Sequence, residues 1–185
     1  SLGLVGSEMC IRDSTITRLI QVIHRGQKIF LVISLPYRHG RNMQNHILHQ
    51  HVHTAAELKA QGISEFSIRA RLRNGTLEKL ERGVYVDAEF CQNLGERERR
   101  FIEHLAVLKS TANPYLTHHS AAFWLGAPML SLPHKVHLAS PNKHRYSRAG
   151  VQIHANRAAE CTQAIIHQGF AVLNPLQVAV DCALT

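Results

Sequence analysis

The pattern of polar and apolar positions in the middle of the chain predicts two short helices joined by a tight turn. Thr54 and Glu57 have the spacing of a capping box, in which each side chain bonds a backbone amide that the first turn of a helix leaves free. The first helix is therefore predicted over residues 54–61, and Gly62 marks its end. Ser64 is a suitable N-cap for the second helix. Two short helices separated by a glycine turn are typical of a helix-turn-helix.

The second helix has one apolar row and one basic row. Ile68 and Leu72 are spaced i and i+4, which places them together on the face that packs on a core. Arg69 and Arg73 form a second row with the same spacing, and Arg71 points in another direction. Because arginine is well suited to bidentate contact with guanine edges and phosphates, this helix is a candidate for DNA recognition.

A β-hairpin is predicted directly after the second helix. Asn74-Gly75 ends the helix, and residues 76–80 and 84–86 have the pattern of two short strands. Gly83 lies in the turn between them, where a positive φ is expected. A hairpin in this position is the wing of a winged helix-turn-helix.

The predicted DNA contacts come from the second helix and the wing. A helix of this size fits the major groove, which is ~12 Å wide, while helix N-terminal amides and wing cations suit phosphates. The residues predicted to contact DNA are Ser64, Arg69, Arg71, Arg73, Lys79 and Arg82. The alternative hypothesis is that the arginines of the second helix form only a solvated basic face. Glu65, Glu78 and Glu81 favour this alternative because they lower the net positive charge nearby.

The second half of the chain predicts a small mixed α/β domain. Apolar residues at helical spacing indicate a long helix over residues 95–110, and a short helix is expected over 121–125 with Ser120 as its N-cap. The predicted strands cover residues 136–139, 151–154, 164–167 and 170–173. Asn174-Pro175 provides a cap and an N1 proline for a final helix. The fold class is therefore α+β, with a winged helix-turn-helix ahead of the mixed domain.

The chain is expected to contain three segments. Residues 1–42 are interpreted as a non-native tail before a native start at Met43, because the first fourteen residues resemble a translated sequencing adaptor. The alternative is that the apolar run Ile29–Leu35 is a genuine strand or helix. The winged helix-turn-helix is assigned to residues 43–90 and the α+β domain to 95–185. An apolar helix face reaches the last residue without a stop signal, so the second domain is expected to be truncated at its C-terminus.

Composition narrows the class of protein. The 185 residues are 45% hydrophobic and 18% charged, as in globular proteins, and no apolar run approaches the ~18 residues of a membrane span. A net charge of +8 favours polyanionic partners such as nucleic acid. The four cysteines are far apart and form no CxxC pair, which predicts neither a zinc ribbon nor a disulfide framework and favours the reducing cytoplasm.

Signals for catalysis or metal binding are weaker. Four histidines lie within one octet: His46, His49, His51 and His53. No Asp, Glu or Cys completes a ligand set beside them, so a flexible polar lead-in is the favoured interpretation. His118, His119 and Ser120 are neighbours at a helix start and are not expected to form a Ser-His pair, and Trp124 is expected in the core. No catalytic residue, metal ligand or cofactor is predicted, and the protein is not expected to be an enzyme.

Two sets of motifs agree, in order, with one known family. The first set is Thr54–Ser64, Ile68-Arg69, Arg73–Leu77 and Arg82–Tyr85. The second set is His118, Ser120-Ala121-Ala122, Gly126, Val136-His137-Leu138, Asn174-Pro175 and Asp181. Together they resemble the N-terminal winged helix and the middle domain of AbiEi-family antitoxins from type IV toxin-antitoxin systems, over about residues 50–185. That family usually has arginine at the position of Gln177, so a role resting on that charge is not carried over.

The resemblance implies a bacterial, DNA-binding antitoxin that represses its own operon in phage defence. Its partners would be double-stranded DNA at promoter inverted repeats and a nucleotidyltransferase toxin, whose effect it counters without a stable complex. The alternative is the targeting part of a DNA-processing endonuclease whose catalytic domain lies beyond Thr185. A third hypothesis is a protein-interaction module, since winged helices also bind proteins.

Overall fold

The computed structural model describes residues 15–24, 27–36, 39–143 and 146–185, with side chains from residue 45 onward apart from 144 and 145. The residues that resemble a sequencing adaptor, 1–14, lie outside the described part. The chain divides into two compact units, Ser1–Met43 and Gln44–Thr185. In the first unit, β1 (Thr15–His24) and β2 (Gln27–Pro36) form an antiparallel pair. The apolar run Ile29–Leu35 lies within β2, as the strand alternative for it predicts.

The first part of the described fold from residue 39 onward alternates helices with a small antiparallel sheet. Its elements are α1 (His39–His51), β3 (Val52–Thr54), α2 (Ala55–Ala60), α3 (Glu65–Arg73), β4 (Leu77–Glu81) and β5 (Val84–Asp87). The strands lie in the order β3-β5-β4. The predicted capping box is confirmed: the Glu57 amide donates to Thr54 Oγ1 at 3.1 Å, and the Thr54 amide donates to Glu57 Oε2 at 2.6 Å. Both predicted helices and the predicted hairpin are confirmed within one or two residues.

The second part is a mixed sheet covered by helices. Its elements are α4 (Ala88–Gln92), α5 (Glu96–Ser110), β6 (Tyr115–Leu116), α6 (His118–Trp124), β7 (Val136–Ala139), β8 (Val151–His154), α7 (Ala158–Thr162), β9 (Ile165–His167), β10 (Phe170–Val172) and α8 (Pro175–Ala183). The sheet order is β8-β7-β6-β10-β9, in which β7 and β8 run parallel. All four predicted strands are confirmed, and the architecture is mixed α and β as expected. Among the described residues, no helix is both long and apolar enough to cross a membrane.

Side chains from the two sheets of the second unit meet in one hydrophobic core around α5. Ile102 and Leu105 on α5 are fully buried in it. The core also contains Val86 from the β3-β5-β4 sheet and Leu138 from the β8-β7-β6-β10-β9 sheet. Segments 43–90 and 95–185, assigned above as separate domains, therefore contribute to the same core. Trp124 is 1% exposed, which confirms its expected place there.

The interpretation of the histidine-rich octet as a flexible lead-in is wrong. Residues 46–51 lie in α1, and Leu48 of this helix and Val52, the first residue of β3, are buried in the core. The His49 ring lies 5.8 Å from Phe101, and the His51 ring stacks on Phe90 at 3.7 Å. The apolar pair anchors the helix, and the imidazole rings cover aromatic surface beside it.

A chain that begins at Met43 should melt at the same temperature as the whole chain. The core of the second unit is built from side chains at Leu48 and beyond, so the truncation removes none of its described members. Differential scanning calorimetry of the two proteins measures the comparison. For a protein of this size, a fall of more than about 4 °C would correspond to at least about 1 kcal/mol and would contradict the interpretation of residues 1–42 as a non-native tail.

Candidate functional site

Helix α3 has a narrow inward face and a broad outward face. Ser64 caps its start by accepting a hydrogen bond from the Ser67 amide at 3.1 Å. Ile68 is buried and Leu72 half-buried, and they define the inward face. At about 100° per residue, Arg73 lies about 120° around the helix from the midpoint of that face. Arg73 therefore belongs to the outward face.

The three arginines of α3 are exposed and accessible to a ligand. Arg69 forms an ion pair with Glu65 at 3.2 Å, and both side chains are largely exposed. Such a pair contributes about 0–1 kcal/mol and is easily exchanged for a contact with a ligand. Within the part of the chain that the structure describes, the guanidinium groups of Arg71 and Arg73 form no ion pair. About 80° of rotation separates Arg69 and Arg71, on opposite sides, from the midpoint of the inward face.

The hairpin residues expected to contact DNA are also exposed. Lys79 lies on β4, and Arg82 lies in the turn that joins β4 to β5. Gly83 follows with φ of 74°, as the predicted turn requires. A register shift between Lys79 and Glu81 bends the hairpin next to this turn. The structure thus places four of the six predicted residues on α3 or at its cap and two on the hairpin.

Acidic residues near this surface are paired with arginines. Glu78 lies 2.8 Å from Arg99, and Glu81 lies 2.9 Å from Arg148. Glu65 forms the ion pair with Arg69 described above. The negative charges that favoured the solvated-face alternative are therefore compensated, two of them by arginines from the second half of the chain.

An exposed aromatic side chain on α3 was not among the predicted site residues. Phe66 is 75% exposed and lies about 140° around the helix from the inward face. Its position between Glu65 and Ser67, out of phase with Ile68 and Leu72, was the available signal. The outward face of α3 thus combines an aromatic ring with flanking cations.

A cluster of three histidines lies at the β8-β7-β6-β10-β9 sheet, and the sequence analysis considered His118 but did not predict its grouping with His137 and His154. His137 on β7 and His154 on β8 face each other, with Nδ1 of His137 3.1 Å from Nε2 of His154. The His118 ring, at the start of α6, stacks on His154 at 3.7 Å. Burial lowers the pKa of both His118 and His137 to about 4, and nearby His154 acts in the same direction on each. The three side chains could hold a metal ion, since one nitrogen from each lies within 4.8 Å of the others.

Asp181 on α8 connects this cluster to a buried ion pair. Arg157 donates to both carboxylate oxygens, at 3.0 and 3.1 Å, and Gln177 donates to Oδ1 at 2.9 Å. The Thr117 hydroxyl donates to Oδ2 at 2.8 Å, and Oδ2 is 3.7 Å from Nδ1 of His118. Burial alone would raise the pKa of Asp181, but these hydrogen bonds outweigh it and hold the pKa below its usual value. At position 177, a neutral amide therefore contacts the carboxylate and Arg157 supplies the charge.

The expected N-cap role of Ser120 is wrong. Helix α6 begins at His118 with Thr117 as its N-cap, which leaves Ser120 inside the first turn and buried. Its hydroxyl oxygen accepts from the His137 amide at 2.9 Å and lies 3.0 Å from Nε2 of His104. Ser120 thus links α5, α6 and β7 inside the core, away from solvent.

His104 pairs with Ser120 through a fixed ring orientation. Its Nδ1 lies 2.8 Å from the carbonyl oxygen of Arg100, which can only accept, so Nδ1 carries the proton and Nε2 carries a lone pair. The one proton of the Ser120 hydroxyl has two acceptors in reach, this Nε2 at 3.0 Å and the carbonyl oxygen of Lys135 at 3.1 Å. Burial lowers the pKa of His104 to about 4, so the ring is neutral at pH 7.

No family model and no curated protein matches the chain.

Proposed function

We propose that this protein binds double-stranded DNA through a winged helix formed by residues 43–90. The order α1-β3-α2-α3-β4-β5, with strands arranged β3-β5-β4, supports this proposal. In such a unit α3 is the recognition helix, and the β4–β5 hairpin is the wing. Residues 43–185 carry a net charge of +4, half of the +8 of the chain, which favours the approach to a polyanion.

The observation that carries the proposal is the outward face of α3. Phe66 and Arg73 lie on this face, about 20° apart around the helix and seven residues apart along it, and Arg69 and Arg71 lie at its two edges. Arginine donates two hydrogen bonds to a guanine edge, and an aromatic ring packs on the methyl group of thymine. An exposed aromatic ring among cations is costly to leave in water and is suited to the major groove.

The wing supplies contacts of another kind. Lys79 and Arg82 are exposed on the hairpin, where cations bind phosphates irrespective of sequence. Ser64 opens α3, so the remaining free amides of its first turn can donate to a phosphate as well. Base contacts from α3 would give specificity, and phosphate contacts from the wing would give affinity.

We propose further that the DNA is the promoter of the protein's own operon and that the protein acts as an antitoxin. The motif resemblance to AbiEi-family antitoxins supports this role, in which a nucleotidyltransferase toxin is countered without a stable complex. On this proposal the protein is not an enzyme and works in the cytoplasm.

Arg73→Ala should weaken binding to the promoter inverted repeat by about 1–3 kcal/mol and reduce the preference over random DNA. Lys79→Ala should weaken binding to both DNAs about equally and lower the salt slope by about one. The difference follows because, on this proposal, Arg73 contacts bases and Lys79 contacts phosphate. Fluorescence anisotropy with a labelled promoter duplex and a scrambled duplex of equal length, at several salt concentrations, measures both effects.

Lys143→Ala is the matched control, because Lys143 is an exposed cation in the loop after β7 and outside the proposed winged helix. Its binding curves should superimpose on those of the parent. A variant with alanine at Arg69, Arg71 and Arg73 that binds like the parent would show that the basic face is only solvated surface. The winged helix would then have to be interpreted as a protein-interaction module.

A further inference from the structure

We infer that His118, His137 and His154 form a binding site for one divalent transition-metal ion of the zinc type. The three residues lie 17 or more positions apart in the sequence and come together only through the fold. This inference is independent of DNA binding, because none of the three belongs to α3 or the wing.

The separations of the ring nitrogens suit a shared ion. Zinc binds imidazole at about 2.0–2.1 Å, so two nitrogens on a tetrahedral ion are about 3.3 Å apart. Nδ1 of His137 and Nε2 of His154 are 3.1 Å apart. One nitrogen of His118 lies within 4.8 Å of both ligand atoms, a distance that a small ring rotation can reduce.

Two of the histidines are fixed by strand register. In the parallel pair, His137 lies opposite Gln152, and His154 lies opposite Ala139. His137 and Ala139 are two positions apart on β7, so their side chains point to the same face of the sheet. His137 and His154 are therefore diagonal neighbours on that face, held by rigid backbone.

The third histidine is held in a backbone conformation that costs energy. His118 has φ of 51°, in the left-handed region that a residue other than glycine rarely adopts. The Thr117 amide donates to the carbonyl oxygen of His137 at 3.1 Å, which ties this segment to β7. Strained residues of this kind are concentrated at functional sites.

The surroundings of His118 fix its ring for ligation. The Thr117 hydroxyl donates its only proton to Asp181, so its oxygen must accept from Nδ1 of His118 at 3.1 Å. Nδ1 then carries the ring proton, and the Nε2 lone pair is free to bind a metal. Histidines that bind zinc usually donate a hydrogen bond from the other ring nitrogen, and the Thr117 hydroxyl, itself bonded to Asp181, is the acceptor here.

The ligand set selects the class of ion. Three imidazoles suit Zn²⁺, Co²⁺, Ni²⁺ and Cu²⁺, whereas Mg²⁺ and Ca²⁺ prefer oxygen ligands. His137 and His154 are only half-buried, so a water molecule can reach a fourth position. We therefore expect a tetrahedral site with three protein ligands and one exchangeable ligand.

Calorimetric titration of the EDTA-treated, dialysed full chain with Zn²⁺ should show one saturable site per chain. His154→Gln keeps a polar side chain at the edge strand but removes the imidazole, and it should weaken Zn²⁺ binding at least about 100-fold. Thr117→Val retains the shape of the side chain and should weaken it about tenfold, because His118 loses its orienting partner. The matched control is His134→Gln, an exposed histidine outside the cluster, and its titration should match the parent.

Two further measurements are made on the parent protein, so they test the inference even if a variant folds poorly. Saturating Zn²⁺ should raise the melting temperature of the parent by at least about 5 °C, and Co²⁺ should give the intense visible absorption of a tetrahedral site. A weak, octahedral-type Co²⁺ spectrum, absence of a one-ion stoichiometry, or a loss in His134→Gln as large as in His154→Gln would overturn the inference. The last result would assign the binding to surface histidines.

Discussion

Replacing Asp181 by alanine should lower the free energy of unfolding by about 3–5 kcal/mol. Asp181 is 6% exposed and accepts hydrogen bonds from Thr117, Arg157 and Gln177. The Arg157 side chain is itself only 14% exposed. Without the carboxylate its guanidinium group loses two hydrogen bonds and keeps only the Nε contact with Glu160 at 3.3 Å, and a buried charge that has lost its main partner costs more than the loss of the pair's attraction.

Urea denaturation followed by far-ultraviolet circular dichroism, with EDTA present, measures this loss. The fluorescence of Trp124, the one tryptophan of the sequence and a buried one, gives a second probe of the same transition. Glu65→Ala is the matched control, because it breaks the exposed pair with Arg69 and should cost less than about 1 kcal/mol. If Asp181→Ala costs no more than Glu65→Ala, the network around Asp181 does not stabilise the fold.

Elements with strong local signals could be predicted from the sequence. Helix α8 is an example, because Asn174 caps it by accepting from the Leu176 amide at 3.0 Å and Pro175 occupies its first position. Helix α2 is another, with the capping box at Thr54 and Glu57. In such cases the residues that set the boundary lie within four positions of one another. Their effect does not depend on the rest of the fold.

Elements that depend on tertiary contacts could not be predicted. β6 (Tyr115–Leu116) has only two residues and exists because it pairs with both β7 and β10. α7 (Ala158–Thr162) has no capping side chain and a single buried residue, Cys161. A pattern this short carries no periodicity that distinguishes a helix from a loop.

The same distinction separates the two sites. The basic row of α3 arises from i and i+4 spacing and was visible in the sequence. The cluster of His118, His137 and His154 depends on the parallel register of β7 and β8 and on the start of α6, which no local pattern specifies. Ser120 and His104 are paired in the same way, 16 positions apart. Long-range pairing therefore limited the prediction of chemistry more than that of secondary structure.

Acidification should destabilise the protein between about pH 6.5 and pH 4, and His104 is one of three histidines, with His118 and His137, whose lowered pKa values contribute. The folded-state pKa of His104 is about 4 against an ordinary value of 6.5, because burial disfavours the charged ring and Arg100 and His137 add repulsion. In this interval the unfolded chain binds a proton that the folded chain excludes, so stability is full above pH 6.5 and falls as the pH falls. The total for one such histidine is on the order of 3 kcal/mol.

His104→Gln removes this titration and should flatten the dependence of stability on pH. The slope of unfolding free energy against pH, from urea denaturation at several pH values with EDTA present, should decrease by up to about 1.4 kcal/mol per pH unit relative to the parent. His134→Gln, at an exposed position, should leave the slope unchanged. An unchanged slope in His104→Gln would show that His104 titrates alike in the folded and unfolded chain. It would then have to be reached by water in the folded state, although it is 1% exposed in the structure.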